Sequence, residues 1–113
     1  MSACAGKRRS FWMNPKFWGM LGLARRAGKL AMGEEKASDA VRSGKAALIL
    51  LALDASANTE KKFSDMGRFR SVPVLRPGDR FQMGAAVGRA AAVTLAVTDP
   101  GFAEQLARLS ETE

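Results

Sequence analysis

Two long apolar runs limit the folds that are open to this chain. AALILLAL at residues 46–53 and AAAVTLAV at residues 90–97 contain no charged side chain, and only Thr94 interrupts the second run. Both are far shorter than the roughly 20 residues of a membrane span. A strand that is apolar on both faces is covered on both sides. The two runs therefore predict central strands of a layered fold.

Turn and capping residues predict helices between and around these runs. Glycine or proline lies at one or both ends of each predicted helix. The short segment SVPVLRP predicts a further strand. The first predicted helix covers 15–27 and starts at Asn14-Pro15, and the second runs from about Glu34 to VRSG. The third runs from Asn58 to about Met66 and ends at Gly67, and the fourth covers 79–87 and ends at Gly88. The last starts at Asp99-Pro100. Alternating strands and helices predict an α/β fold with a largely parallel or mixed sheet.

Composition restricts the class of protein. With 113 residues, 47% of them hydrophobic, the chain is expected to form a single globular domain over residues 14–110, preceded by a basic tail at residues 1–13. The start does not resemble a signal peptide, and the single cysteine, Cys4, allows no internal disulfide, so a cytoplasmic location is predicted. One cysteine and no histidine supply too few ligands for a zinc site. No cofactor is expected.

The positive charge is concentrated in the first four-fifths of the chain. Residues 1–89 carry 17 lysines and arginines against 7 acidic residues, whereas residues 90–113 carry one against four. A sequence pI near 10.3 with this distribution favours a polyanionic partner over a merely solubilising surface. Lys16, Arg25, Arg26 and Lys29 form a basic cluster near Gly33, where a helix N-terminus could bind phosphate.

Adjacent glutamates at the start of the second predicted helix have two interpretations. Glu34 and Glu35 follow Gly33, where free N–H groups and the positive end of the helix dipole favour acidic residues, so helix capping is a sufficient explanation. Carboxylates at a helix N-terminus can also accept hydrogen bonds from base amino groups. On the helix, Lys36 lies close enough to Asp39 to form a pair. The local sequence does not decide between the two interpretations.

Two predicted strands end in aspartate, at Asp54 and Asp99. Paired carboxylates at strand ends could hold magnesium for phosphoryl chemistry. The simpler interpretation is that both residues cap the following helices, because Ser56 and Pro100 come soon after them.

The order of several segments resembles a known family. ARRAGKLAMGEEKASDAVRSGKAALILLALDAS, NTEKKFSDM, VPVL and VTDPGFAEQL resemble the kink-turn RNA-binding ribosomal protein superfamily, in its bacterial YlxQ-type branch, from about Phe17 to Leu109. The resemblance implies a three-layer α-β-α sandwich with a four-stranded mixed sheet, including a short strand at Leu30–Met32. It also implies non-catalytic binding of structured RNA, with ribosomal RNA as one candidate. Neither DNA nor a membrane is expected as a partner. The oligomeric state is left open.

The resemblance also implies which residues contact RNA. The family's glycine and the three polar residues after it, usually Thr-Asn-Glu, fall on Gly33, Glu34, Glu35 and Lys36, and the family's supporting lysine falls on Asp39. A family lysine near the phosphate backbone matches Lys29. The family's second contact, an apolar loop, falls on Arg89, Ala90 and Ala91.

The sequence thus predicts an RNA-binding protein, with a protein-interaction module of the same fold as the alternative. The predicted RNA-binding residues are Arg25, Arg26, Lys29, Gly33, Glu34, Glu35, Lys36, Asp39, Arg89, Ala90 and Ala91. A magnesium-dependent enzyme that uses Asp54 and Asp99 is a distant third possibility.

Overall fold

A computed structural model describes residues 15–111, so the predicted N-terminal tail lies outside the described residues. Five helices and four strands are present in this range. They are α1 (Pro15–Arg26), β1 (Leu30–Met32), α2 (Glu34–Arg42), β2 (Leu48–Leu51), α3 (Ala57–Arg70), β3 (Val74–Leu75), α4 (Arg80–Val87), β4 (Thr94–Val97) and α5 (Pro100–Glu111). None of the helices within residues 15–111 is long and apolar enough to cross a membrane.

The four strands form one mixed sheet in the order β1-β4-β2-β3. β4 is antiparallel to both of its neighbours, and β2 is parallel to β3. The two apolar runs therefore supply the two central strands, which confirms the prediction made from their composition. The short strand β1, which only the resemblance implied, is also present and pairs Leu30 with Val97.

Side chains of the central strands alternate between two separate cores. In β2, Leu48 and Leu50 pack in a core with side chains of α1, α4 and α5, such as Phe17, Met83 and Leu106. Ile49 and Leu51 belong to a second core with side chains of α2 and α3. Because successive side chains of a strand point to opposite faces, helices cover the sheet on both sides. The predicted three-layer α-β-α sandwich is confirmed.

The predicted end of the third helix at Gly67 is wrong. α3 continues through Gly67 to Arg70 and ends at Ser71, whose φ of 60° lies in the left-handed region. Gly67 is a packing residue, because a Cβ placed there would lie 2.7 Å from the carbonyl oxygen of Val72 and 2.9 Å from Cγ2 of Val74. The missing side chain allows the segment that leads into β3 to pass close to the helix.

Asp54 and Asp99 follow opposite ends of the sheet. β2 and β4 are antiparallel, with Leu48 opposite Val97 and Leu51 opposite Thr94, so the residues after the two strands leave in opposite directions. The premise of a paired carboxylate site is therefore wrong. Asp99 does cap α5 as predicted, because its Oδ2 accepts a hydrogen bond from the backbone N–H of Phe102 at 3.0 Å.

Candidate nucleic-acid interface

A cavity of about 340 Å³ lies where the turn between β1 and α2 meets the loop between α4 and β4. Gly33 and Glu34 line it from the turn, and Arg89 and Ala91 line it from the loop. The two segments that the resemblance implied as contacts are more than 50 positions apart in sequence, yet they face the same cavity. We call this cavity the turn–loop cavity.

Gly33 allows the chain to enter α2 directly from β1. Its φ of 102° is one that side-chain-bearing residues rarely adopt. Its N–H donates to the carbonyl oxygen of Thr94 at 3.1 Å, and its carbonyl oxygen accepts from Ala37 at 2.9 Å. No side chain caps α2 through a hydrogen bond at this N-cap. The start of the helix is thereby fixed to the sheet while its first turn stays open to a ligand.

The first glutamate of α2 forms an ion pair with α3. Oε2 of Glu34 lies 3.2 Å from Nζ of Lys62, and both side chains are exposed to nearly half of their surface. One turn further on, the hydroxyl of Ser38 donates to Sδ of Met66 at 3.9 Å. The two contacts have the same separation in sequence, so α2 and α3 lie side by side and run in the same direction.

Asp39 is paired with Arg42 rather than with Lys36. Its Oδ1 lies 2.8 Å from an Arg42 guanidinium nitrogen, three residues further along α2. The longer arginine side chain reaches back along the helix surface, so the predicted pairing with Lys36 is wrong. Glu35 has no ion pair within residues 15–111 and lies with Arg42 and Lys62 in a cleft of about 220 Å³.

The loop after α4 is held closely against its own helix. Gly88 ends α4 with a φ of 76°, and the N–H of Arg89 donates to the carbonyl oxygen of Gly84 at 2.8 Å. A Cβ at Gly84 would lie 2.7 Å from Cα of Ala91, so only glycine leaves room for the loop. The N–H of Ala92 donates to the carbonyl oxygen of Arg80 at 2.9 Å. These contacts fix the loop that forms one wall of the turn–loop cavity.

An ion pair between Asp54 and Arg80 borders the cavity and was not predicted. Oδ2 of Asp54 lies 3.1 Å from Nε of Arg80, and its Oδ1 accepts from the Arg80 backbone N–H at 3.1 Å. Asp54 therefore binds the start of α4, whereas Ser56 caps α3, so the predicted capping of the following helix by Asp54 is wrong. Desolvation raises the pKa of the Asp54 carboxyl, but the hydrogen bonds from Arg80 outweigh it and the pKa lies below its usual value.

Thr94 also lines the turn–loop cavity, and sequence reasoning gave it no role. It is only 2% exposed, and its Oγ1 has no hydrogen-bond partner within the described part of the chain. A buried hydroxyl without a partner is unusual in folded proteins. The sequence feature that could have pointed to Thr94 as a site residue is its position as the single hydroxyl in an otherwise apolar predicted strand.

The basic cluster predicted near Gly33 lies elsewhere. Lys29 is at the opposite end of β1, where its carbonyl oxygen accepts from the N–H of Thr98 at 2.8 Å. Arg25 and Arg26 end α1 and line a separate groove of about 520 Å³ together with Gly88. Lys36 and Ala90 are exposed on α2 and on the loop, respectively. The predicted residues thus divide between the turn–loop cavity, its immediate surroundings and a second groove.

The sequence of the folded domain matches one protein family. Residues 16–107 match the Ribosomal protein L7Ae/L30e/S12e/Gadd45 family, and the chain belongs to that family. The resemblance noted in the sequence is therefore confirmed over nearly the whole chain.

Two curated relatives have the same name. The chain is 42% identical over 90 residues to the RNA-binding protein YlxQ of Bacillus subtilis (strain 168), covering 80% of this chain and 90% of the relative. It is 35% identical over 96 residues to the RNA-binding protein YlxQ of Enterococcus faecium, covering 85% and 92% of the two chains.

Solved structures share the fold. A protein of unknown function from Bacillus halodurans C superposes with a TM-score of 0.83 at 38% identity, covering 85% of this chain and 97% of that chain. The Giardia lamblia 15.5kD RNA binding protein has a TM-score of 0.71 at 17% identity, covering 90% and 92%, and supports the fold alone.

Proposed function

We propose that this protein binds structured RNA, a kink-turn or a related internal loop, without catalysing a reaction. The observation that carries the proposal is the meeting of two segments at one cavity: the turn at Gly33 and Glu34, and the loop at Arg89, Ala91 and Ala92. The names of the two curated relatives agree with an RNA partner. We further propose that the RNA is associated with translation, as ribosomal RNA would be, and that the protein acts in the cytoplasm.

The cavity and the cleft beside it, which share Glu34, offer groups that suit the edges of bases. Glu35, at the open first turn of α2, is free to accept a hydrogen bond from a base amino group, because no cation within residues 15–111 pairs with it. The buried hydroxyl of Thr94 can both donate and accept. Such contacts distinguish bases, whereas phosphate contacts mainly set position.

Cations beside the cavity are suited to the RNA backbone. Arg89 lines the cavity without an ion pair to any carboxylate of residues 15–110, so its guanidinium can pair with a phosphate through two hydrogen bonds. Lys29, Arg25 and Arg26 lie further away and would meet phosphates of an RNA that extends past the cavity. The expected complex combines base contacts at α2 with backbone contacts on the side of α4.

The test compares a kink-turn RNA with an unkinked duplex of the same length. We expect the kinked RNA to bind more tightly at every salt concentration, because only a distorted internal loop exposes base edges to the first turn of α2. Glu35→Ala should reduce this preference, whereas Glu104→Ala on α5, paired with Arg108, should leave it unchanged. Equal binding of both RNAs contradicts the proposed specificity, and no binding of either favours the protein-interaction alternative.

A further inference from the structure

A second groove lies between α1 and α4, beside the turn–loop cavity. Its volume is about 520 Å³, within the range of about 300–1,000 Å³ typical of sites for small organic groups. Trp18 and Leu23 line it from α1, and Ala86 and Gly88 line it from α4 and its C-terminus. The two helices approach closely here, since a Cβ at Gly22 would lie 3.1 Å from the carbonyl oxygen of Ala86. We call this groove the α1–α4 groove.

The α1–α4 groove combines an aromatic ring and apolar surface with arginines. Trp18 is half-buried and held by an edge-to-face contact with Phe17, with ring centroids 5.3 Å apart. Leu23 is 50% exposed. Arg25 and Arg26 lie at the C-terminal end of α1, and neither forms an ion pair with a carboxylate of residues 15–110. No acidic side chain is among the residues that line this groove. Its chemistry therefore fits a flat apolar group attached to an anion.

The groove and the turn–loop cavity are lined in part by consecutive residues of the chain. Gly88 lines the α1–α4 groove, and the next residue, Arg89, lines the cavity. An RNA backbone that contacts Arg89 therefore lies close to the residues that line the groove. This adjacency, with Arg89 at the cavity and Arg25 and Arg26 at the groove all available to phosphates, favours the same RNA as the occupant over a separate acidic protein.

We propose that the α1–α4 groove binds an unpaired segment of the RNA whose folded part occupies the turn–loop cavity. A base lies against Trp18 and Leu23, and phosphates pair with Arg25 and Arg26. Stacking on an aromatic side chain tolerates any base, so this contact adds affinity without reading sequence. The proposal rests on the proposed function, because it places a second part of the same ligand.

The experiment measures the gain in affinity that a single-stranded extension gives to a structured RNA. Two RNAs share one kink-turn core, and the second carries six unpaired nucleotides at each end. We expect the extended RNA to bind the wild-type protein roughly tenfold more tightly, a typical effect of stacking one base. Leu23→Glu should remove this gain while leaving affinity for the core within about twofold, since Leu23 is exposed and does not line the turn–loop cavity.

Phe69→Glu provides the matched control. It introduces the same charge at an exposed apolar residue, 82% accessible, near the C-terminal end of α3. The control should keep the full gain from the extension, and thermal unfolding should show that both variants are folded. A fluorescence change at Trp18 in a Trp12→Phe background, seen with the extended RNA alone, would place the extension in the groove.

Several outcomes would overturn the proposal. The wild-type protein could bind both RNAs equally, or the two variants could lose the gain to the same extent, which would indicate a general charge effect. An acidic helical peptide that binds the groove while the extension does not would identify a protein partner instead. Failure to bind even the core RNA would refute the proposed function itself, and is distinguishable from these results.

Discussion

The two sides of the molecule differ in how their charges are used. On the α2–α3 side, most carboxylates form ion pairs with cations: Glu34 pairs with Lys62 and Asp39 pairs with Arg42. Asp65 of α3 likewise contacts Lys61 at 3.5 Å and Arg68 at 3.0 Å. On the α1–α4 side, Arg25, Arg26 and Arg89 form no ion pair with the carboxylates of residues 15–110.

This difference shows that a net charge of +7 is not evenly available to a polyanion. A cation that already pairs with a carboxylate contributes less to binding phosphate, because the pair must be broken or shared. The α1–α4 side should therefore supply most of the backbone contacts. The α2–α3 side, with its carboxylates near the first turn of α2, should act mainly through hydrogen bonds to bases.

Reversing an unpaired charge should have the largest effect. Arg89→Glu replaces an attraction to phosphate with a repulsion, worth about 1–4 kcal/mol for a contact near 4 Å at a protein surface. RNA affinity should fall accordingly in a titration at low salt. Arg68→Glu makes the same change at a residue paired with Asp65, and a loss as large as that of Arg89→Glu would refute the division between the two sides.

Adding a cation to the α2–α3 side should reduce the difference in phosphate binding between the two sides. Asp39→Lys removes a carboxylate, releases Arg42 from its pair and places a positive charge on α2. We expect tighter binding of a kink-turn RNA by roughly 1–3 kcal/mol. Unchanged affinity at low salt would mean that this face of α2 does not approach the RNA.

Removing the cation that holds Glu34 should have a smaller effect. Lys62→Ala leaves the carboxylate of Glu34 unpaired beside the cavity, which should weaken RNA binding by about 0.2–1 kcal/mol, the usual scale of an exposed pair. Lys61→Ala is the control, since Lys61 pairs with Asp65 on the exposed surface of α3 and does not contact Glu34. Equal effects of the two variants would show that Lys62 acts only through its charge.

Acid titration should test the ion pair between Asp54 and Arg80, which borders the cavity on the α4 side. The pKa of Asp54 is lowered in the folded protein, so its contribution to stability is present above the usual aspartate pKa of about 3.9 and is lost as the pH falls below it. Asp54→Asn should make the fall in unfolding free energy below about pH 4 shallower, as measured by urea unfolding. An unchanged pH profile would mean that the pair with Arg80 does not persist in solution.

Sequence patterns predicted what depends on local composition. The two central strands followed from their apolar runs, and the ends of α4 followed from Asp79 and Gly88. The strand β1 has only three residues, too few for a periodic pattern, and was inferred from the resemblance alone. The end of α3 was predicted wrongly because glycine usually stops a helix, whereas Gly67 is required by packing against Val72 and Val74.

Local sequence patterns do not predict contacts between residues that are far apart in the sequence. Asp54 binds Arg80 across 26 positions, and Glu34 binds Lys62 across 28. Residues so far apart in sequence do not meet within a single helix or strand. Only the tertiary structure brings these pairs together. The prediction also placed Lys29 beside Gly33, because the two residues are close in sequence. In the structure they lie at opposite ends of β1.

The most direct test of the account is the salt dependence of RNA affinity for the wild-type protein and two glutamine variants. If three to five phosphates are contacted, log affinity should fall with log salt concentration at about −0.9 per contact. Arg89→Gln should make that slope shallower by about one unit, whereas Arg68→Gln should leave it unchanged. A complex that is insensitive to salt, or equal slopes for the two variants, would contradict the claim that unpaired cations on the α1–α4 side bind the RNA backbone.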